Sequence, residues 1–163
     1  MVSEHAQPVE EHLPRGEAQG CILVVSDYRL LNLGHASALS LAGYAVYTAV
    51  TCTDVPRVFE QFEVGDVDLI VFASVVHGWH HEEAERRPED IPAATDNQWQ
   101  TRNIRQVIDT VAARQQTPPG ILVATDLLDY SCYDISADAL ADAGIEYQTY
   151  SAGDPRSVLG FLQ

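Results

Sequence analysis

From residue 21 to residue 162 the chain alternates short apolar runs with longer segments whose apolar residues recur every three or four positions. Cys21 is followed by Ile22, Leu23, Val24 and Val25, an unbroken run ending at Ser26 and Asp27. Such a run suits a strand buried on both faces, whereas a strand with one wet face alternates polar and apolar residues. Leu30, Leu31 and Leu33 with Ala38, Leu39, Leu41 and Ala42 then supply a helical stripe, closed by Gly43 as a left-handed cap. The unit repeats. Residues 44–50 suit a strand, and Val55, Val58, Phe59 and Phe62 a helix stopping near Gly65; residues 67–76 read as the third and most buried strand. Thr95 is placed to cap a helix presenting Trp99, Ile104, Val107, Ile108 and Val111, which ends before Pro118-Pro119-Gly120. Residues 121–125 form a fourth strand, 136–143 a short helix capped by Gly144, and 145–150 a fifth strand, after which Asp154-Pro155 opens a last helix. Five strands alternating with five helices imply a parallel sheet covered on both faces, because parallel strands need long crossovers.

Two segments stand outside this alternation. Residues 1–19 carry Glu4, Glu10, Glu11 and Glu17 with Pro8, Pro14 and Gly16 and show no apolar period, so they read as a flexible acidic tail. Residues 77 to about 94 insert charge and two prolines after the third strand, a connection longer than most in a compact domain. The expected organisation is therefore a tail, then one domain over residues 20–163 with an inserted loop at about 77–94. That loop reads either as a lid over the strand ends, anchored by Trp79 or Trp99, or as a solvated acidic segment.

The order of elements and the strand ends resemble the receiver domain of two-component response regulators. The residues that carry the resemblance are Ile22-Leu23-Val24-Val25-Ser26-Asp27, Ala42-Gly43-Tyr44, Asp68-Leu69-Ile70-Val71-Phe72-Ala73 and Ala139-Leu140-Ala141-Asp142-Ala143-Gly144. The resemblance implies a flavodoxin-like, doubly wound α/β fold: a five-stranded parallel sheet of order 2-1-3-4-5 with helices on both faces. It also implies a phosphorelay pocket at the strand ends. Two carboxylates after the first strand and an acceptor aspartate after the third hold Mg²⁺; a hydroxyl ends the fourth strand and a lysine the fifth. Position by position, Ser26 stands at the first carboxylate, Asp27 keeps the second, and Ala73 occupies the acceptor position. Thr125 keeps the hydroxyl, Tyr150 replaces the lysine, and Ser151 follows where proline is usual.

A methyl group has no lone pair to attack phosphorus, so Ala73 removes the nucleophile. Ser74 is expected to project to the opposite face of the strand. Asp68, five residues back, is expected roughly 16 Å away toward the other end of the sheet. One carboxylate and a hydroxyl make a thin oxygen shell for a hard cation, so no cofactor is expected. These departures describe a pseudo-receiver, not an enzyme, in which Asp27, Thr125 and Tyr150 converge at one end of the sheet.

Charge narrows the partners. The chain has 24 acidic residues against 9 basic ones, a formal charge of −15, and every basic residue is arginine. Absence of lysine excludes Schiff-base catalysis and a P-loop. The acidity argues against nucleic acid and anionic membrane surfaces. Cys21, Cys52 and Cys132 are widely spaced and odd in number, no apolar run reaches the roughly 18 residues of a membrane span, and the N-terminus lacks a basic then apolar leader. The expected location is cytoplasmic.

Three further groups invite chemistry. His77, His80 and His81 beside Glu82 and Glu83 offer ligands for Zn²⁺ or Ni²⁺, but a loop fixes no common face for the imidazoles, so a solvated polar loop is the favoured reading and no metal is expected. Tyr130, Tyr133, Tyr147 and Tyr150 gather around the fourth and fifth strands and are the interface candidates, with half-buried core-edge packing as the alternative. Cys132 lacks a basic neighbour to activate it. The expected function is a phosphorylation-independent signalling or protein-interaction module acting through a protein partner or a homodimer. The alternative is a small-ligand or metal sensor using the 77–94 loop and the vacated acidic pocket.

Overall fold

The computed structural model describes residues 9–74, 76, 99–125 and 137–162. In chain order these form β1 (Val9–His12), β2 (Cys21–Val25), α1 (Arg29–Leu41), β3 (Ala45–Ala49), a 3₁₀ turn (Cys52–Asp54) leading into α2 (Val55–Gln61), and β4 (Leu69–Phe72). Then follow α3 (Trp99–Ala112), β5 (Gly120–Ala124), α4 (Ala137–Asp142), β6 (Gln148–Tyr150) and a terminal 3₁₀ helix (Pro155–Phe161).

Among the described residues the strands make one six-stranded sheet of order β1-β3-β2-β4-β5-β6. All neighbours are parallel except β1, which runs antiparallel to β3. The expected five-stranded, all-parallel sheet is thus corrected by an added edge strand. β1 also corrects the reading of residues 9–19 as flexible tail. Val9 is 2% exposed in the core, the β1 backbone pairs the outer edge of β3, and Glu10 and Glu11 are held by Arg29 at 2.8 Å and by the Tyr47 hydroxyl at 3.1 Å. One buried valine and a backbone ladder outweigh the entropy that composition alone charges against the segment. The Gln19 N–H, donating to the Gly43 carbonyl at 2.8 Å, pins the chain again before β2.

β2, β3 and β4 are buried along their whole length, as unbroken apolar runs require. From β2 the chain steps one way across the sheet to β3, then back past β2 to β4 and on to β5 and β6. With right-handed crossovers that reversal puts α1 on one face and α2, α3 and α4 on the other. In keeping with this, α1 packs against the terminal 3₁₀ helix and α2 against α3.

Both helix ends assigned to glycine are built as expected. Gly43 and Gly144 have φ of +107° and +76°. Tyr44 N–H reaches the Leu39 carbonyl and Gly43 N–H that of Ser40; Ile145 and Gly144 repeat the pattern onto Leu140 and Ala141. This is the Schellman arrangement, which needs a left-handed residue and so favours glycine.

The leucines of α1, read as a single stripe, divide between two faces. Asn32, His35, Ala36 and Leu39 are buried, while Leu30, Leu33 and Leu41 are 66%, 46% and 85% exposed.

Candidate functional site

The positions singled out by resemblance all fall at the carboxyl end of the parallel strands: Ser26 and Asp27 after β2, Ala73 after β4, Thr125 after β5, and Tyr150 at the end of β6. Open α/β sheets place ligands here, at the point where strand order reverses, between β2 and β4. In this chain the protein's own hydroxyls bridge the strand ends there.

Ser26 and Ser74 Oγ atoms lie 2.6 Å apart, and Ser74 Oγ donates to Asp27 Oδ1 at 2.7 Å. An ionised carboxylate only accepts, so the Ser74 proton is committed to Asp27 and Ser26 must donate to Ser74. The Ser26 oxygen in turn accepts from the Tyr28 N–H at 3.0 Å. The relay runs from Tyr28 N–H through Ser26 and Ser74 to Asp27 and ties the end of β2 to the end of β4. The expectation that Ser74 faces away from the pocket is corrected here: β4 ends at Phe72, so the two-residue alternation of a strand no longer governs Ser74. Asp68 is at the opposite end of the sheet, where its Oδ2 accepts from the Cys21 N–H at 2.9 Å.

The second group is built around Tyr150. Its hydroxyl lies 2.7 Å from His35 Nε2, and His35 Nδ1 lies 2.8 Å from the Leu31 carbonyl. A carbonyl only accepts, so Nδ1 carries the proton, and in the neutral ring that burial favours Nε2 accepts from the tyrosine. The two rings meet edge to face with centroids 5.7 Å apart. Burial lowers the His35 pKa, opposed in part by the Leu31 carbonyl, which favours the charged ring. Burial likewise raises that of Tyr150. Thr125 Oγ1 donates to the Tyr150 carbonyl at 3.0 Å and joins the ends of β5 and β6.

Asp27, Thr125 and Tyr150 therefore share one end of the sheet but belong to two networks, with the tyrosine hydroxyl directed to α1. Ser26, Ala73 and Tyr150 are 0%, 3% and 4% exposed, leaving a half-buried Asp27 and an exposed Thr125 at the surface. Burial also corrects the reading of Tyr150 as an interface anchor, while Tyr147 is half-buried against the core. Tyr130 and Tyr133, and the histidines His77, His80 and His81, lie outside the described residues, as does Cys132. Among the described residues no group of three metal-ligating side chains comes together. Cys21 and Cys52 are buried; burial first, then Asp68, pushes the Cys21 thiol up to about 12, and burial first, then Asp54, pushes Cys52 up to about 11. Neither is an activated thiol.

Asn32 and His35 were not singled out from the sequence, yet they organise the site. Asn32 Nδ2 donates to the carbonyls of Ser26 at 3.1 Å and Ala49 at 3.2 Å, so α1 grips the ends of β2 and β3. Their signal was present: two side chains of strong hydrogen-bonding capacity at helical spacing with Ala36 and Leu39. On the far side, α3 holds the chain leaving β4, with the Val76 N–H on Gln100 Oε1 at 2.6 Å and the Asn103 amide on the Val76 carbonyl at 2.9 Å.

The chain superposes on the crystal structure of a response regulator protein from Burkholderia pseudomallei, described with a phosphorylated aspartic acid, a calcium ion and citrate. The TM-score is 0.53 at 17% identity, over 89% of this chain and 67% of that one. A fusion carrying a yeast Spc42 coiled-coil segment superposes at a TM-score of 0.48 and 13% identity, over 90% of this chain and 78% of that one, too remote to bear on the fold. No protein-family model matches the sequence, and no curated protein matches it. The fold is receiver-like: a mostly parallel α/β sheet with helices. Among the described residues no helix is long and apolar enough to cross a membrane.

Proposed function

We propose that this chain is a pseudo-receiver: a signalling module that acts by protein association and takes no phosphoryl group. With β1 set aside, its parallel strands stand in the order 2-1-3-4-5, the receiver's own order. The observation that supports the reading is the chemistry missing from the positions where the receiver's acceptor and lysine would stand. Ala73 at the acceptor position offers no nucleophile, and Tyr150 in place of the lysine is bonded to His35. The intruding hydroxyl of Ser74 makes a poor substitute. A phosphoryl dianion on Ser74 would sit against the Asp27 carboxylate with no lysine to offset the charge.

Acidic composition points to a protein partner or a second copy and away from nucleic acid and membrane. No catalytic step is assigned to the site. The deciding experiment is incubation with a small phosphodonor and Mg²⁺, read by intact mass, with beryllofluoride titration read by tyrosine fluorescence. The expected outcome is an unchanged mass and no saturable signal. Gain of one phosphoryl group overturns the reading.

A further inference from the structure

His35 is fully buried where α1 meets the end of β6, and both its ring nitrogens are already committed. Nδ1 carries its hydrogen toward the Leu31 carbonyl at 2.8 Å, so a second proton can enter only at Nε2. That nitrogen is the acceptor of the Tyr150 hydroxyl at 2.7 Å. Protonating it puts two hydrogens on one short line, and the tyrosine must turn its own away and accept instead. Among the described residues the hydroxyl has no other partner to take that hydrogen, so a buried donor is stranded.

The charge is no better placed than the hydrogen. On the elements packed against α1 the charged residues are Glu10 and Glu11 of β1 and, at the terminal 3₁₀ helix, Asp154 and Arg156. Glu10 is bonded to Arg29 at the start of α1, and Glu11 to the Tyr47 hydroxyl. β2, β3 and β6 carry no charged side chain; their titratable groups Cys21, Tyr47 and Tyr150 stay neutral, burial raising the pKa of each. Asp27, past the end of β2, is engaged by Ser74. No carboxylate acts on the His35 pKa, which burial lowers and the Leu31 carbonyl raises in part. An imidazolium here is a buried charge without a counter-ion, which a folded interior does not hold.

We propose that the bond between His35 and Tyr150 is a proton-operated latch: a proton on Nε2 frees β6 and the terminal 3₁₀ helix from α1 while the rest of the sheet stays folded. The parting is local because of what holds each piece. β6 is a three-residue strand at the sheet edge, and the terminal 3₁₀ helix that follows it packs on α1. On its other side α1 is gripped separately, by Asn32 on the Ser26 and Ala49 carbonyls. The latch goes beyond the pseudo-receiver reading and gives the chain an input that needs no phosphoryl group.

Hydrogen exchange of the full chain from pH 7.5 to pH 5.5, corrected for the intrinsic pH dependence of exchange and read on peptides, tests this. The segment from β6 to the terminal 3₁₀ helix should open up to about tenfold more per pH unit below 6.5, while β2 and β4 keep their protection. His35→Gln, whose amide takes no proton, should abolish the rise. His12→Gln, at the second imidazole among the described residues, should leave it intact. Should His35→Gln fail to fold, the native chain still decides, because the His35 ring must titrate by NMR over the same range as the opening. Exchange that rises equally in every strand, a flat profile, a ring that titrates elsewhere, or a rise that persists in His35→Gln overturns the inference. None of these results touches the pseudo-receiver reading, which fails only on phosphoryl gain.

Discussion

α1 and α3 cover opposite faces of one sheet, and each carries enough apolar residues to bury a stripe. Beyond its first turn, where Gln100 and Thr101 are buried, α3 behaves as its pattern says: Ile104, Val107 and Val111 are fully buried, and Arg105 and Asp109 pair at 3.2 Å on the outside. α1 turns a polar asparagine and a histidine inward and three leucines outward. The difference lies in what marks the outer side. In α3, Arg102, Arg105 and Asp109 cannot be buried without partners, so charge fixes the rotation of the helix. Between Leu30 and Leu41, α1 has no charge to do this, and Ala36 and Leu39 give it a second apolar face. Its rotation is then set by polar groups at the strand ends: the Ser26 and Ala49 carbonyls, which accept from Asn32, and the Tyr150 hydroxyl, which bonds His35.

The largest effect should come from the helix whose pattern and burial agree. Ile104→Ala in α3 is expected to destabilise by about 2–5 kcal/mol in urea denaturation, through lost burial and a cavity. On α1 the sensitive residue is polar. Asn32→Ala should cost about 1–3 kcal/mol, because it strips a donor from two backbone carbonyls. Asn32→Leu should recover none of this, although leucine is the better helix former and more apolar. If leucine there stabilises the protein, the inner face of α1 is an ordinary apolar face and the contrast with α3 fails.

How much of this was legible in the sequence depends on the kind of interaction. Buried strands announced themselves as unbroken apolar runs, and Gly43 and Gly144 marked helix ends because the left-handed cap is local chemistry. Ser26, Asp27, Ala73, Thr125 and Tyr150 were placed at one end of the sheet by the resemblance to receiver domains. What failed to show was any interaction whose partner is remote in sequence. Pairing of β1 with β3 joins residues such as Val9 and Ala49, and the Tyr150 bond to His35 spans most of the chain. Ser74 was misassigned for a different reason: strand alternation was carried past Phe72, where the strand ends.

His35 and Tyr150 extend the contrast to pH. Tyr150→Phe removes the donor to a buried imidazole nitrogen, at an expected cost of about 0.5–1.5 kcal/mol near neutral pH. The folded His35 pKa lies below the ordinary 6.5, so between the two values the unfolded chain binds a proton that the native state refuses. The stability contributed by the neutral ring is therefore complete above 6.5 and is lost as pH falls below it. The loss should approach, at its steepest, about 1.4 kcal/mol per pH unit for one proton. Denaturation curves from pH 8 to pH 5.5 should show this slope in the native sequence and a flatter one in His35→Gln. Equal slopes would remove His35 as the titrating group.

The smallest effect is expected on the outer face, and its smallness is the point. Leu41→Gln exchanges residues of similar helix propensity at a position 85% exposed, so neither backbone preference nor burial within one chain should change much. At protein concentrations too low for association, stability should move by no more than about 0.5 kcal/mol, against several for Ile104→Ala. A large loss in dilute solution would mean that Leu41 is covered within the single chain, and the division of α1 into a polar inner and an apolar outer face would be wrong.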